Sequence, residues 1–313
     1  MGTLVSSENH ASAQLGSAWL DISTEVRNPR TLDLDQRTTL GILEALNDED
    51  RTAPDAVRQV LPVMALLVEA AAHAVANGGR VHYFGAGTSG RLGIIDAAEL
   101  MPTFNLAEGV VIAHHAGGSK ALIRAVENLE DSWGAGLADA AEVRAGDVVI
   151  GIAASGRTPY VGGALDRARQ LGVPTALMTC AVNPELGPLA DFVMVADTGA
   201  EALAGSTRLK AGTAQKMMLN SFSTALMIRL GKTWSNLMVS VLATNEKLRA
   251  RTVRILMEAT GQDEEHCRTA LAAAGGDLKV ALVSMLTGSG PARSRDAVDA
   301  AGGVRAAVES LTV

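Results

Sequence analysis

Two short loops rich in glycine and hydroxyl side chains are the first parts of the chain that could bind a ligand. Residues 85–90 are Gly-Ala-Gly-Thr-Ser-Gly, and residues 153–159 are Ala-Ala-Ser-Gly-Arg-Thr-Pro. Each loop follows an apolar run of strand length and leads into a helical stretch. Glycines expose backbone N–H groups, hydroxyls add donors, and a helix N-terminus favours an anion. The two loops therefore predict a shared site for one phosphate ester.

The first loop also fits the G-x-G-x-x-G pattern of dinucleotide-binding folds. That interpretation requires an acidic residue at the end of the second strand, about 20 residues further on, to hold the ribose hydroxyls. Here the second strand ends instead in His114 and His115. The sequence therefore favours a phosphate ester over a dinucleotide, and two tight turns without a ligand remain the structural alternative. Adjacent strand residues point to opposite faces, so the two histidines are not expected to act together.

Carboxylates near these loops could supply acid and base chemistry. Asp96 and Glu99 lie three residues apart in the helix that follows the first loop, so they share a helix face. A second acidic group, Glu127, Glu130 and Asp131, follows the helix after the second strand. Paired carboxyls can move protons on a bound sugar. The pattern alone, however, favours solvated or capping carboxylates.

Five apolar runs of strand length would position these side chains. They occupy residues 80–84, 109–114, 147–152, 173–179 and 192–196, and helical stretches separate most of them. This alternation predicts an α/β fold, a doubly wound parallel sheet of five strands with helices on both faces. In such a sheet, ligands bind at the carboxyl ends of the strands, where both loops lie.

The chain divides into three parts by the same patterns. Residues 1–53 are predicted to form a helical lead-in, and residues 54–260 the sheet domain, closed by helices over 210–230 and 234–260. Residues 261–313 contain short amphipathic stretches between glycine-rich breaks, which predicts a small C-terminal domain of three helices.

Composition excludes several classes of function. The formal net charge of the 313 residues is −7, so a basic groove for nucleic acid is not expected. Cys180 and Cys267 lie far apart without metal-ligand spacing, so neither a zinc site nor a disulfide framework is indicated, and a reducing cytoplasm fits best. No run of about 18 apolar residues is apparent, so no contact with a membrane is expected.

Five strings of residues, in the same order along the chain, resemble known proteins. They cover residues 85–93, 96–99, 151–160, 210–216 and 243–248. The two loops are similar to those of sugar isomerase (SIS) domains, and the longer strings resemble the N-acetylmuramic acid 6-phosphate etherase family. The likeness runs from about residue 22 to the C-terminal helices and implies a flavodoxin-like SIS sheet.

The resemblance implies a lyase that removes the lactyl ether from C3 of a sugar 6-phosphate during recycling of cell-wall amino sugars. The products would be N-acetylglucosamine 6-phosphate and D-lactate. The two glutamates that the family is thought to use fall on Glu99, as proton donor, and Glu130. The phosphate would be held by residues of both loops: Gly87, Thr88, Ser89, Gly90, Ser155, Gly156, Arg157 and Thr158.

Lys210 belongs to one of the matching strings and has two interpretations. It could neutralise the phosphate or the lactyl carboxylate, or it could be an exposed helix lysine. The implied reaction needs no redox cofactor and no metal. The expected partners are a small sugar phosphate and a second copy of the chain in a homodimer, with no nucleic acid and no membrane.

Some residues depart from the family pattern. Two prolines are usual after the catalytic glutamate, but here the sequence is Leu100-Met101-Pro102 and only the second proline remains. Before Glu130 the chain has Glu127-Asn128-Leu129, where a Gly-Ala pair is usual between the acids. Two other functions also remain open. One is a sugar-phosphate isomerase of the same fold, and the other is a non-catalytic sensor similar to the glucokinase regulatory protein.

Overall fold

A parallel sheet of five strands forms the centre of the first part of the chain. The computed structural model describes residues 23–123, 129–241 and 246–312. The strands are β1 (Val81–Gly85), β2 (Val111–His115), β3 (Val148–Ile152), β4 (Thr175–Thr179) and β5 (Phe192–Val195). All neighbouring pairs are parallel, in the order β2-β1-β3-β4-β5. This confirms the predicted doubly wound sheet of five parallel strands.

The strand order determines where the two loops lie. The chain passes from β1 outward to β2 and then returns to β3 on the other side of β1, so the connection changes direction between β1 and β3. Gly85, at the end of β1, is in register with Ile152, at the end of β3. Both glycine loops therefore begin side by side at the topological switch point, where sheets of this kind bind ligands.

Helices flank the sheet and connect its strands. They are α1 (Thr39–Asp50), α2 (Ala53–Ala76), α3 (Gly87–Phe104), α4 (Lys120–Ile123), α5 (Trp133–Asp139), α6 (Pro159–Gln170) and α7 (Lys210–Arg229). Short 3-10 turns at Pro29–Thr31 and Leu34–Gln36 precede α1. On one side of the sheet, buried residues of β1, β3 and β4 form a core cluster with α6 that includes Phe84, Val149, Leu165 and Leu177.

α5 and α6 pack closely because glycines lie between them. A Cβ on Gly163 would stand 2.1 Å from the carbonyl oxygen of Trp133, and one on Gly136 would stand 1.9 Å from that of Tyr160. Any larger residue would separate the two helices. This contact fixes the N-terminal turn of α6, into which the second loop leads.

One helical stretch meets the length and hydropathy of a membrane span. By length and composition alone, Thr39–Ala76 could cross a membrane, and 28% of its most apolar window is buried. This criterion is a mean hydropathy over a window, and it does not require the continuous apolar run that the sequence lacks. Core helices also meet it, and α2 buries one stripe, which includes Val60, Met64 and Leu67.

Contacts divide the described residues into two compact units. The first comprises residues up to 96 together with 111–222, and the second comprises 97–110 together with the residues from 223 onward. The second unit contains the hairpin β6 (Thr233–Trp234) and β7 (Leu237–Met238), followed by α8 (Glu246–Thr260), α9 (Glu264–Ala273), α10 (Leu278–Thr287), α11 (Pro291–Ala301) and α12 (Val304–Thr312).

The second unit differs from its prediction in two ways. A hairpin occupies residues 233–238, of which 234–238 were predicted to be helical. Residues 261–312 form four helices rather than three, and left-handed glycines, Gly288 and Gly302, end two of them. Helix α8 packs on α9 and α10, and its closure of the sheet domain stays a prediction. The predicted domain boundaries themselves stay a prediction.

Candidate active site

The first loop is a tight connection between β1 and α3. A Cβ on Gly85 would stand 2.7 Å from the backbone nitrogen of Gly90, and one on Gly90 would stand 2.5 Å from the carbonyl oxygen of Gly85. Gly87 has a φ of +53°, which disfavours other residues, yet no described atom beyond its chain neighbours and its own helix backbone lies within 4 Å of its missing Cβ. The close approach thus leaves open space directly above the start of α3.

His115, at the end of β2, contacts the backbone of this loop, a role that the sequence did not indicate. Its ring is buried, with Nε2 3.1 Å from the carbonyl oxygen of Gly87 and Nδ1 2.8 Å from that of Ala116. Its Cδ2 would stand 2.6 Å from a Cβ on Gly90. His115 therefore fixes the backbone at Gly87 and requires glycine at position 90.

The start of α7 packs against the same loop. Ser89 is 8% exposed, and its hydroxyl donates to Oε1 of Gln215 at 2.9 Å. A Cβ on Gly212, one turn earlier in α7, would stand 3.6 Å from Cγ2 of Thr88. The resemblance pointed to residues 210–216 as a matching string, but it assigned no role to Gln215.

The second loop is also held in a tight conformation. Gly156 has a φ of +64°, and a Cβ there would stand 2.4 Å from Cβ of Pro184. The hydroxyl of Ser155 accepts from the backbone nitrogen of Arg157 at 3.3 Å, and the guanidinium of Arg157 pairs with Glu185 at 3.3 Å. Thr158 occupies the N-cap position of α6 but its side chain makes no capping hydrogen bond. The amides at the start of α6 are thus not capped by this residue.

Lys210 is buried rather than exposed. Its side chain is 1% exposed, and its Nζ lies 2.7 Å from Oε2 of Glu49. Arg30 also binds Glu49, at 2.6 Å. The hydrogen bond from Arg30, followed by that from Lys210, lowers the pKa of the Glu49 carboxyl to about 2 in spite of its burial. The alternative of an exposed helix lysine is therefore wrong, and the role of Lys210 as a substrate ligand stays a prediction.

Glu201 closes the N-terminus of α7. Its fully buried carboxylate accepts from the backbone nitrogens of Lys210 at 3.2 Å and Ala211 at 3.0 Å. Burial raises its pKa. The segment before Lys210 is bound in turn to the lead-in, because the hydroxyl of Thr31 donates to the carbonyl of Ala202 at 2.8 Å and Asn28 donates to that of Ala200 at 3.1 Å.

The predicted glutamates are both exposed. The backbone oxygen of Glu130 accepts from the nitrogen of Tyr160 at 2.9 Å, which places Glu130 beside the first turn of α6. Glu99 lies on α3, within the second unit. Asp96, predicted to share its helix face, is instead buried and accepts from Tyr83 at 3.1 Å and Asn220 at 2.7 Å. Their catalytic roles stay predictions, and Glu127 lies outside the described residues.

A second polar cluster involves residues of β1 and β2 and the residues that precede β1 and β3. Nδ1 of His82 is 3.0 Å from Nε2 of His114, and Nε2 of His82 is 3.1 Å from Asp147, just before β3. Arg80 also pairs with Asp147, at 2.9 Å. Burial lowers the pKa of His82 and, together with the charge of His82, lowers that of His114 to about 4. Within the described ranges, no group of three or more His, Cys, Asp or Glu residues could hold a metal ion.

Comparisons with known proteins give consistent results. Residues 63–169 match a family model described as the glucokinase regulatory protein N-terminal SIS domain. A protein of Thermobifida fusca is 56% identical over 84% of this chain and 87% of its own length. One of Halalkalibacterium halodurans is 48% identical over 93% of this chain and 98% of its own. Both are named N-acetylmuramic acid 6-phosphate etherase.

The similar solved structures share less of the sequence of this chain. A phosphoheptose isomerase from Francisella tularensis is 18% identical, with a TM-score of 0.48, and matches 61% of this chain and all of its own.

Proposed function

Because this chain belongs to the N-acetylmuramic acid 6-phosphate etherase family, we propose that it removes the lactyl ether from N-acetylmuramic acid 6-phosphate. The products are N-acetylglucosamine 6-phosphate and D-lactate. The observation that carries the proposal is the identity of 56% and 48% to proteins of that name over most of both chains. The two glycine loops at the switch point of the sheet support a phosphate ester as the group bound.

The reaction is an elimination followed by addition of water, which makes the enzyme a carbon–oxygen lyase. In the ring-opened sugar, the C1 aldehyde acidifies the hydrogen on C2, and a carboxylate removes it as a proton. The C3–O bond then breaks, and a carboxylic acid protonates the departing ether oxygen, which leaves as lactate. Water adds at C3 of the unsaturated aldehyde and C2 regains a proton.

Glu99 acts as the proton donor and Glu130 as its partner. Both side chains are exposed and so accessible to a substrate. The position of Glu130 beside the first turn of α6 supports its assignment, because the second loop leads into that turn. One carboxyl must be protonated while the other is ionised, so binding of the substrate must give them different surroundings.

The two loops hold the phosphate and so fix the position of the sugar for the reaction. The backbone amides at the start of α3, the hydroxyl of Thr88 and the side chains of Ser155 and Thr158 provide the donors. The open space above Gly87 supports this arrangement. Lys210 contributes positive charge. Glu49 pairs with both Lys210 and Arg30, so one carboxylate faces two cations.

A homodimer is part of the same proposal. Large apolar side chains are exposed on α2, where they include Leu61 and Leu66, and near the end of α7, where Ile228 belongs to the second unit. Exposed apolar surface of this kind is typical of interfaces between copies. A cytoplasmic location and a role in amino sugar recycling stay predictions of the family resemblance.

The test is release of D-lactate from N-acetylmuramic acid 6-phosphate by the purified protein. Glu99→Gln and Glu130→Gln are expected to lower the rate at least a hundredfold, because each proton transfer is worth about 10² to 10⁴ in rate. Glu309→Gln, an exposed carboxylate on α12, is the matched control. A ketose phosphate as product would indicate an isomerase instead. Binding of the sugar phosphate without turnover would indicate a sensor, the kind of protein after which the matching family model is named.

A further inference from the structure

One buried polar group beside the first loop has no hydrogen-bond partner. Gln215 is fully buried, and its Oε1 accepts from Ser89. Its Nε2, which carries two hydrogens, meets no acceptor among the described residues. Native structures rarely leave such a donor unsatisfied, and a functional site is one of the common explanations.

The unsatisfied nitrogen lies close to the predicted phosphate. Because Nε2 and Oε1 share one carbon, Nε2 is within about 5 Å of Oγ of Ser89. Ser89 belongs to the first turn of α3, a helix of 18 residues whose N-terminal amides attract an anion. The space above Gly87, in the same turn, is open.

The hydrogen bond of Ser89 changes the set of donors that the loop offers. Since Ser89 gives its hydroxyl hydrogen to Gln215, it cannot give the same hydrogen to a phosphate. At the start of α7, the amides of Lys210 and Ala211 are already used, because both donate to Glu201. The nitrogen of Gln215 is a buried side-chain donor of α7 whose hydrogens no described acceptor takes.

We propose that Gln215 binds the substrate directly, donating an amide N–H to the phosphate ester at the start of α3 while its oxygen fixes the Ser89 hydroxyl. A phosphate dianion has only acceptor atoms, so it complements a donor that the protein leaves unpaired. This inference rests on the proposed function for the identity of the ligand. It adds a residue on α7 to the two glycine loops.

Three variants separate direct binding from an effect through Ser89. They are Gln215→Met, which keeps the shape and removes both amide atoms, Ser89→Ala, and the double variant. Binding of N-acetylglucosamine 6-phosphate is measured by titration calorimetry, with unphosphorylated N-acetylglucosamine as a second probe. Gln215→Met is expected to weaken binding of the phosphorylated sugar by about tenfold to a hundredfold. Gln170→Met, an exposed glutamine at the end of α6, is the matched control and leaves binding unchanged.

The double variant gives the decisive comparison. If Gln215 touches the phosphate, Gln215→Met still weakens binding at least tenfold in the Ser89→Ala background. If it acts only through Ser89, the double variant binds as Ser89→Ala does, and the proposal is overturned. An equal loss for the unphosphorylated sugar would also overturn it. Each variant is first checked for a cooperative unfolding transition. If Gln215→Met does not show one, Gln215→Asn takes its place, because it moves the amide back by one methylene, and the same criteria apply.

The outcome can be told apart from that of the proposed reaction. A wild-type protein that releases no lactate, yet binds the phosphorylated sugar and loses that binding in Gln215→Met, refutes the reaction and supports this inference. A wild-type protein that releases lactate while Gln215→Met keeps its KM supports the reaction and refutes this inference. In the supported case KM rises and kcat changes little, since the contact is made equally before and during reaction.

Discussion

Acid is expected to destabilise this protein through His114, whose side chain is 10% exposed and whose pKa is lowered in the folded protein. His114 stacks on Phe84 with ring centroids 4.1 Å apart, and its Nε2 lies 3.0 Å from His82. Burial, and then the charge of His82, lower its pKa from 6.5 to about 4. Glu142 and Asp139 act in the opposite direction.

The sign follows from which state binds the proton first. The unfolded chain takes up a proton at His114 near pH 6.5, and the folded protein only near pH 4. The contribution of His114 to stability is therefore fully present above pH 6.5 and is lost as the pH decreases from 6.5 to 4. Below pH 4 this group causes no further loss. At about 1.4 kcal/mol for each pH unit, the loss is about 3 kcal/mol.

His114→Gln isolates this contribution, because glutamine has a similar reach and does not titrate. Urea unfolding is measured from pH 7.5 to pH 4 at constant ionic strength for wild type and variant. As the pH falls across this range, the free energy of unfolding is expected to decrease by about 3 kcal/mol less in the variant than in wild type. His73→Gln, on the exposed side of α2, is the control. Parallel curves for wild type and His114→Gln would refute the reasoning.

Two further perturbations test how the loops are supported. Glu49→Gln leaves the ammonium of Lys210 buried without a counter-charge and is expected to lower the free energy of unfolding in urea at pH 7 by about 3–5 kcal/mol. Arg30→Gln, at the exposed end of the same cluster, is expected to lower it much less. Equal losses for the two variants would contradict this. Gly87→Ala has room for its methyl group but must adopt a positive φ, so it should cost about 1–2 kcal/mol in stability and weaken binding of the phosphorylated sugar; an unchanged affinity would count against the first loop as the phosphate site.

The sheet was predictable because its signal is local. Each strand lies in a mostly apolar stretch of the chain, as is typical of parallel strands covered on both faces. The predicted ends differ from the observed ones by a residue or two; the fourth run, for example, begins at Val173, while β4 begins at Thr175. The hairpin at residues 233–238 was missed because two-residue strands are too short to show an alternating pattern.

The site was predictable only in part, since some of its contacts join distant parts of the chain. The glycine loops were identified because their composition shows their chemistry. The contact between Ser89 and Gln215 joins residues 126 positions apart, and that between Glu49 and Lys210 joins residues 161 positions apart. His115 lies near the loop only because β2 pairs with β1. No spacing rule could have indicated these partners.

The anchoring of α7 to the lead-in has a consequence for synthesis. Thr31, Glu49 and their neighbours leave the ribosome first, but their partners, Ala202 and Lys210, are added 171 and 161 residues later. At about 5–20 residues per second, the carboxylate of Glu49 waits about 8 to 30 seconds for Lys210, the buried one of its two cationic partners. During that interval the growing chain carries a hydrated glutamate where the finished protein has a buried ion pair. The two ends of the first unit can close only when most of the sheet has already been made.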